Sequence, residues 1–525
     1  MPRPKYICKI HFVTMLKIMK PMYGIHRICC VLSTCSPHKH MALSINNRLS
    51  AHDGTTRETY ISRNRSLSCT SRRIHCRGGM EARASSLVES ESSLPLHKHV
   101  NVIRTLRDRG LLQDMTGPEL EELASEESLM VYCGFDPTAE SLHLGNLLGI
   151  IVLSWFQRCG HVPVALLGGA TGRVGDPSGK SAERPVMSEE TIEKNTNAIE
   201  VTLRKLLSVD EASQLKQPLV VNNLDWFGGM GLLEFLRDVG KFARVGTMIS
   251  KESVKKRMES ESGISYTEFT YQLLQGYDFV HLSKSMGIKV QVGGSDQWGN
   301  IIAGTELARK MQETDSCHGM TFPLLLKADG TKFGKSESGA LWLTASMLSP
   351  YNFYQYLLKT TDSDVVKFLK MLTFLPLEDI QEIEESMKLP EYVPNTAQKI
   401  LAEEVTRFVH GEDGVRQALS ATEALAPGSQ TKLSAESLEA AAGDCPTASI
   451  SKEDVIGTAL PDVMVQVGMQ PSKAAVRRMI KGGGVRINNE KVDEELYEIT
   501  AEDIIDDKFI LLAAGKKNKM LLKIL

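Results

Sequence analysis

Residues 132–146, YCGFDPTAESLHLGN, start in a short apolar strand, LMVYCGF (129–135), cross a proline-containing turn and enter the long apolar segment HLGNLLGIIVLSWFQRCG (143–160), which reads as a helix. A strand that delivers the chain to a helix N-terminus creates a particular chemistry. The first backbone N–H groups of a helix have no partner within it and carry partial positive charge, so they attract phosphate. Thr138 and His143 stand nearby as hydrogen-bond donors. Gly145 has no side chain to hold a base or ribose away from the backbone. By itself His-x-Gly-Asn also fits an ordinary capping turn. The strand and the GFDPT segment before it make the phosphate reading the specific one.

Working outward, further strands are read at VPVALLGG (162–169), PLVVNN (218–223), IKVQVGG (288–294) and FPLLL (322–326), with helical patterns between them. Strands alternating with helices predict an α/β fold built on a parallel sheet with right-handed crossovers. Ligands of such sheets sit beyond the carboxyl ends of the strands, and the unusual polar motifs here fall just there. ADGTKFGKSESG (328–339) places Lys332 and Lys335 three apart in a Gly- and Ser-rich loop, free to swing onto a polyphosphate; most short Lys/Gly loops are merely solvated turns. YTEFTYQLLQGYDF (266–279) is helical, with Tyr271, Gln275 and Asp278 at i, i+4 and i+7 on one face. That stripe makes a poor core; its bland reading is a solvent face. GGATGRVGDPSGK (168–180) imitates a phosphate loop, but that template needs a helix starting at the Lys–Ser, and Asp176–Pro177 argues against one.

Together, HLGN after GFDPT, KFGKS, the Tyr/Gln/Asp helix and GGSDQWGN (293–300) resemble the signatures of class I aminoacyl-tRNA synthetases in the form used by tyrosyl enzymes. The usual His-x-Gly-His ends here in Asn146, which still donates and accepts hydrogen bonds. The resemblance implies a Rossmann-like catalytic domain and two-step ligation of L-tyrosine to tRNA(Tyr). ATP is a substrate, accompanied by Mg²⁺ without a dedicated protein metal site. It implies that Tyr271, Gln275 and Asp176 hold the tyrosine ammonium group, that Asp278 and Tyr132 flank the phenol, and that Gln297 suits the carboxyl group. Asn223, in VNNLDW, is a weaker candidate near the pocket. Gly134, Asp136, His143, Gly145, Asn146, Gly294, Asp296 and Lys335 are implied for ATP, with Asp296 on the ribose. Thr138, His143, Lys332 and Lys335 are implied to stabilise the departing pyrophosphate. A phenol-pairing site rejects phenylalanine without an editing domain. Homodimers are typical of the family.

The remaining chain extends this organisation. Residues 1–95 form a basic extension whose first 80 positions hold 14 Lys or Arg and two acids, Asp53 and Glu58. That composition fits an organellar transit peptide, mitochondrial or plastid, better than a secretory signal. Residues 96–348 are read as the catalytic domain, 349–426 as an α-helical anticodon-binding domain, 427–456 as a small, polar connector and 457–525 as a small α+β RNA-binding domain. In the last, PSKAAVRRMIKGGGVRINNEKV (471–492) clusters Lys473, Arg477, Arg478 and Lys481 on a helix, suited to tRNA phosphates.

Composition sets outer bounds. With 525 residues, 42% hydrophobic, 24% charged and a net charge of −3, the chain is ordinary globular material. No run of 18 apolar residues suggests a membrane span. Six of ten cysteines lie in the extension, and Cys133, Cys159, Cys317 and Cys445 are scattered, so neither a disulfide framework nor a zinc site is indicated. Tryptophanyl enzymes share the fold, but the Tyr/Gln/Asp helix and SDQWGN favour tyrosine. A non-catalytic RNA-binding protein on the same body has no use for His143, Lys332 and Lys335. A generic nucleotidyltransferase has no use for the RNA-type C-terminus.

Overall fold

The computed structural model describes residues 100–525, apart from 180–181, 186, 211–212, 313–315, 337–338, 427–432, 443–444 and 516–517. The basic extension lies outside the described residues. A six-stranded sheet forms the centre: β1 (Asp114–Met115), β2 (Met130–Phe135), β3 (Val162–Leu167), β4 (Leu219–Asn222), β5 (Val290–Gly294) and β6 (His318–Phe322), in the order β1-β6-β5-β2-β3-β4. β2 to β6 are parallel, and β1 adds an antiparallel edge.

The alternation of side chains along β2 divides the interior in two. Val131, Cys133 and Phe135 point into a large core with Leu147, Ile151 and other residues of the helix Leu144–Arg158. Tyr132 points to the opposite face, among Phe279, Val280 and Leu282 of the helix Tyr266–Met286. Both faces of the sheet are therefore covered, as a parallel sheet requires.

The last strand of this sheet lies four residues earlier than FPLLL. The strand is HGMTF, every residue of it buried. Pro323 cannot donate to the ladder, and only Leu326 in the segment makes an isolated bridge, with Lys332. Beyond it a two-stranded ribbon pairs β7 (Lys335–Ser336) with β8 (Gly339–Ala340).

Helices then dominate: Pro350–Leu358, Asp362–Leu372, Leu377–Ser386 and Thr396–Ala424. Ser349 caps the first by accepting the Asn352 N–H at 3.2 Å, with Pro350 at its first position. The longest breaks at Gly411, where φ is 75°. Phe353, Phe368, Leu369, Leu401 and Val405 join the same core as the first sheet face. Arg109 pins this junction. Its guanidinium is buried, donates to the carbonyls of Lys370 (3.3 Å), Thr373 (3.1 Å) and Leu375 (2.5 Å), and lies 4.1 Å over the Trp155 ring. It thus caps the carboxyl end of the helix Asp362–Leu372 from far away in sequence.

The C-terminal part is a five-stranded sheet, β11-β10-β12-β13-β9, formed by β9 (Thr447–Ile450), β10 (Val485–Ile487), β11 (Glu490–Lys491), β12 (Phe509–Ala514) and β13 (Asn518–Ile524). One face (Val485, Ile487, Ile510, Leu512) packs on Val463, Val476 and Ile480. The other (Phe509, Leu511, Leu521) packs on Leu433 and Leu438. The stretch 427–456 is thus more than a connector: it supplies the helix Ala435–Ala441 and β9, which pairs in parallel with β13. Only Ile450 of that edge strand is buried, so its composition is that of a linker. Among the described residues no helix is long and apolar enough to cross a membrane.

Replacing Arg109 with Ala removes charge-assisted bonds to buried carbonyls, so Arg109→Ala is expected to lower unfolding free energy by about 2–4 kcal/mol. Urea denaturation followed by circular dichroism checks this, and a change below about 0.5 kcal/mol contradicts it.

Candidate functional site

The strand order reverses between β2 and β5: the chain runs outward from β2 to β3 and β4 on one side, and from β5 to β6 on the other. At such a switch point the loops leave in opposite directions and open a crevice at the carboxyl ends. A cavity of about 600 Å³ lies there. It is lined by Tyr132, Gly134, Asp136, Thr138, His143, Gly145, Asn146, Asp176, Tyr271, Gln275, Asp278, Gly294, Asp296, Gln297 and Lys332. These come from five separate sequence segments. Asn223, Arg184 and Gln291 line it too.

Its buried end is built on the helix Tyr266–Met286. Ser265 caps this helix by accepting the Glu268 N–H at 3.2 Å, and Gly287, at φ 72°, ends it. The cap fixes the register that turns Tyr271, Gln275 and Asp278 inward. Asp278 is 1% exposed. Its carboxylate accepts the Trp226 indole N–H at 2.9 Å and the Asn223 amide at 3.1 Å. Burial pushes its pKa well above the usual carboxylate range, and the two donors only partly oppose that. The Tyr132 phenol is fully buried; burial and then the Asp278 charge drive its pKa well up. Its hydroxyl, and Oε1 of Gln275 and Gln291, have no hydrogen-bond partner among the described residues.

Around this end stand more carboxylates. Asp136 accepts from Thr171 (2.8 Å) and Tyr271 (2.9 Å), and its pKa is raised by burial and by Asp176. Asp176 accepts Gln297 Nε2 at 2.8 Å and the Ser178 N–H at 2.9 Å. Asn300 braces both Ser178 (3.1 Å) and Gln297 (3.3 Å). Asp296 is likewise raised by burial, with Lys332 pulling the other way. Gly168 is required here: a Cβ on it would lie 2.1 Å from Asp136 Oδ1. An accumulation of carboxylates with unfilled hydrogen-bonding capacity suits a cationic, hydroxyl-bearing ligand.

The exposed end is the helix N-terminus. Asn146 Oδ1 accepts the His143 N–H at 3.1 Å, so the asparagine closes the cap. This turn is tied to the lysine loop through backbone bonds, Leu144 N–H to Leu341 C=O (2.9 Å) and Leu341 N–H to Gly334 C=O (3.0 Å). The Gly334 N–H donates to the Tyr356 hydroxyl at 2.9 Å, and Phe333 packs on Phe368 and Tyr356 with ring centroids 4.3 and 5.0 Å apart. The first half of a loop read as free is therefore anchored to the helical layer. Lys332 is exposed at the cavity. Lys335 has its backbone in β7, and its side chain lies outside what the structure describes.

The four C-terminal cations stand on the helix Lys473–Lys481, apart from this cavity. Lys473 is paired with Asp462 and Lys481 with Glu495 at 3.0 Å, whereas Arg477 and Arg478 are exposed. Strand register adds a row invisible in sequence. Arg486 opposes Lys491 on one side and Ala513 on the other, and Ala513 opposes Lys519. Sequence reasoning also missed Trp226, Thr171, Arg184, Gln291 and Asn300. VNNLDW drew attention to the loop, but nothing local shows its indole meeting a carboxylate 52 positions on.

A family model described as class I tRNA synthetases (W and Y) matches residues 124–426, and one for the tyrosine–tRNA ligase SYY-like C-terminal domain matches 437–522. The chloroplastic/mitochondrial tyrosine–tRNA ligase of Arabidopsis thaliana is 58% identical over 428 residues, covering 81% of this chain and 84% of that protein. The tyrosine–tRNA ligase of Protochlamydia amoebophila is 50% identical over 425 residues, covering 81% and 99%. The crystal structure of a C-terminally truncated mitochondrial tyrosyl-tRNA synthetase from Aspergillus nidulans is 33% identical, covers 65% of this chain and 98% of its own, and superposes with a TM-score of 0.56.

The raised Asp278 pKa carries a sign. The folded chain keeps a proton that the unfolded chain releases near its ordinary pKa of about 4, so this group's contribution to stability falls as pH rises from there through the folded value. Asp278→Asn has no such titration. The melting temperature of Asp278→Asn minus that of the parent, without ligands, is expected to grow as pH rises from about 4. A difference independent of pH contradicts the buried-carboxylate account.

Proposed function

The chain belongs to the class I tyrosine–tRNA ligases, and from that we propose how its cavity selects tyrosine and carries the two steps of the reaction. The enzyme activates L-tyrosine with ATP to tyrosyl-adenylate and then transfers the tyrosyl group to the 3′ end of tRNA(Tyr).

The observation carrying the site assignment is the buried Asp278 carboxylate sharing a cavity with the unpartnered Tyr132 hydroxyl. The phenol of tyrosine donates to Asp278 and accepts from Tyr132. Phenylalanine would leave the Tyr132 hydroxyl without a donor role and Asp278 without the added phenol proton, a rejection for which tyrosyl-tRNA synthetases are themselves the reference case, about 10⁵-fold without editing. Tyr271, Gln275 and Asp176 receive the ammonium group. Asp136, through the Tyr271 hydroxyl it accepts, adds negative charge nearby.

The tyrosine carboxylate attacks the α-phosphorus of ATP, and pyrophosphate leaves. The attacking group is already ionised, so no protein base is needed. Rate comes from positioning and from charge stabilisation in the transition state. Gly134, Gly145, Asn146, Gly294 and Asp296 accommodate the nucleotide, with Asp296 on the ribose. Gln297 holds the tyrosine carboxyl group in line. Thr138 and His143 meet the departing pyrophosphate from one side, and Lys332 and Lys335 from the other. Mg²⁺ arriving with ATP would supply further charge neutralisation.

Residues 349–426 are assigned to anticodon binding, and 457–525 to tRNA phosphates through Lys473, Arg477, Arg478 and Lys481. A homodimer is supported by the helix Leu232–Asp238, which has no buried residue and shows Leu232 71% and Leu233 81% exposed. We assign the working compartment to the mitochondrion, the plastid or both, on the basic, acid-poor first 80 residues and the organellar name of the Arabidopsis thaliana relative.

ATP–pyrophosphate exchange with each of the twenty amino acids is expected to proceed with tyrosine alone. Lys335→Ala should slow it by roughly 10²-fold or more with tyrosine affinity little changed, the size of one lost donor to developing charge. Exchange with tryptophan instead, or an unaltered rate in Lys335→Ala, overturns the assignment. Replacing Arg477 and Arg478 with Ala is expected to weaken tRNA binding and reduce the slope of log K against log salt by about one per arginine. An unchanged slope, read by filter binding across salt, removes that helix from the interface.

A further inference from the structure

The selectivity carboxylate has a supporting contact one layer out. Trp226, one of its two donors, stands on the four-residue helix Leu224–Phe227, none of whose residues is buried. Trp226 is half-buried against the cluster around Tyr132 and Phe279, but so short an element does not by itself orient a large ring. The indole is held by its edge and by its face. At the edge, Nε1–H donates to Asp278 at 2.9 Å. At the face, the His281 imidazole lies flat against it, with ring centroids 4.4 Å apart and planes 15° from parallel. Phe227 approaches Trp226 only at 6.4 Å and a tilt of 46°. His281 follows Asp278 by three positions on the same helix, so both project from one side of it. One rigid element thus carries the acceptor and the surface on which the donor rests. Partial burial lowers the imidazole pKa, which favours the uncharged ring.

We propose that His281 is a positioning residue for tyrosine selection: stacked on Trp226, it keeps the indole N–H aimed at Asp278. The proposal rests on the tyrosine pocket set out above. Without the stack the indole gains rotational freedom, and the buried carboxylate keeps Asn223 as its one fixed donor. Its ionised form is then less favoured, and with it the acceptance of the substrate phenol. The nucleotide end of the cavity, around His143 and Lys332, is built on other segments. The loss therefore falls on tyrosine affinity rather than on turnover.

The test is tyrosine-dependent ATP–pyrophosphate exchange at saturating ATP on the full-length enzyme, comparing His281→Ala, His281→Phe and Asp278→Asn with the parent. His281→Ala is expected to raise KM for tyrosine roughly 3- to 10-fold, the worth of one aromatic contact, with kcat within about two-fold. The ratio of kcat/KM for tyrosine over phenylalanine should fall by a similar factor. His281→Phe, which restores a flat ring without its nitrogens, is expected to return KM and the ratio to within about two-fold of the parent. An unchanged KM in His281→Ala overturns the proposal, as does His281→Phe being impaired as much as His281→Ala. If Asp278→Asn also leaves KM for tyrosine unaltered, the pocket reading itself fails. If Asp278→Asn is impaired while His281→Ala is silent, only this inference falls.

Discussion

A carboxylate withdrawn from water costs several kcal/mol unless its charge is compensated, and among the described residues Asp278 is held by neutral donors, the indole of Trp226 and the amide of Asn223. Everything at the buried end of the cavity follows from that constraint. The strand β2 carries Tyr132 and the capped helix carries Asp278 into the same cavity. In the proposed pocket a ligand that offers a phenol donates to Asp278 and accepts from Tyr132, and one that lacks the hydroxyl does neither. On that proposal selectivity arises because a ligand without the hydroxyl leaves this hydrogen-bonding capacity unfilled.

The two faces of β2 separate the problem of stability from that of chemistry. Val131, Cys133 and Phe135 enter the core shared with the helical layer, which Arg109 fastens from behind. Tyr132, one residue out of phase, serves the pocket. The same economy links the loops proposed to hold the nucleotide. Leu341 joins the helix N-terminus at Leu144 to Gly334, and Phe333 carries the connection into the helices that follow. The groups proposed to handle phosphate thus sit on a frame continuous with the helical layer.

The parallel sheet is legible in the sequence because its strands are apolar, short and followed by glycines or polar turns. Most of the cavity is legible for the same reason, since its residues cluster just after those strands. What escapes has a common physical cause. HGMTF is buried but carries a histidine, a glycine and a threonine, so the more apolar FPLLL draws the assignment although only its Phe322 joins the ladder. β9 is an edge strand with one buried residue, so it has the composition of a linker. Trp226, Thr171, Asn300 and the row Lys491–Arg486–Lys519 acquire meaning only when segments far apart are brought side by side. The reading of KFGKS as a freely swinging loop misses the anchoring of Phe333, because an isolated aromatic among glycines does not announce which helix will cover it.

The central claim is that one phenol fills the gap between Asp278 and Tyr132. A crystal structure of the enzyme with L-tyrosine tests it most directly. The account predicts the phenol oxygen within hydrogen-bonding distance, about 2.5–3.0 Å, of both the Asp278 carboxylate and the Tyr132 hydroxyl, with the ammonium group among Tyr271, Gln275 and Asp176. A tyrosine bound with its phenol oxygen away from Asp278, or with its ring outside the cavity, would contradict it.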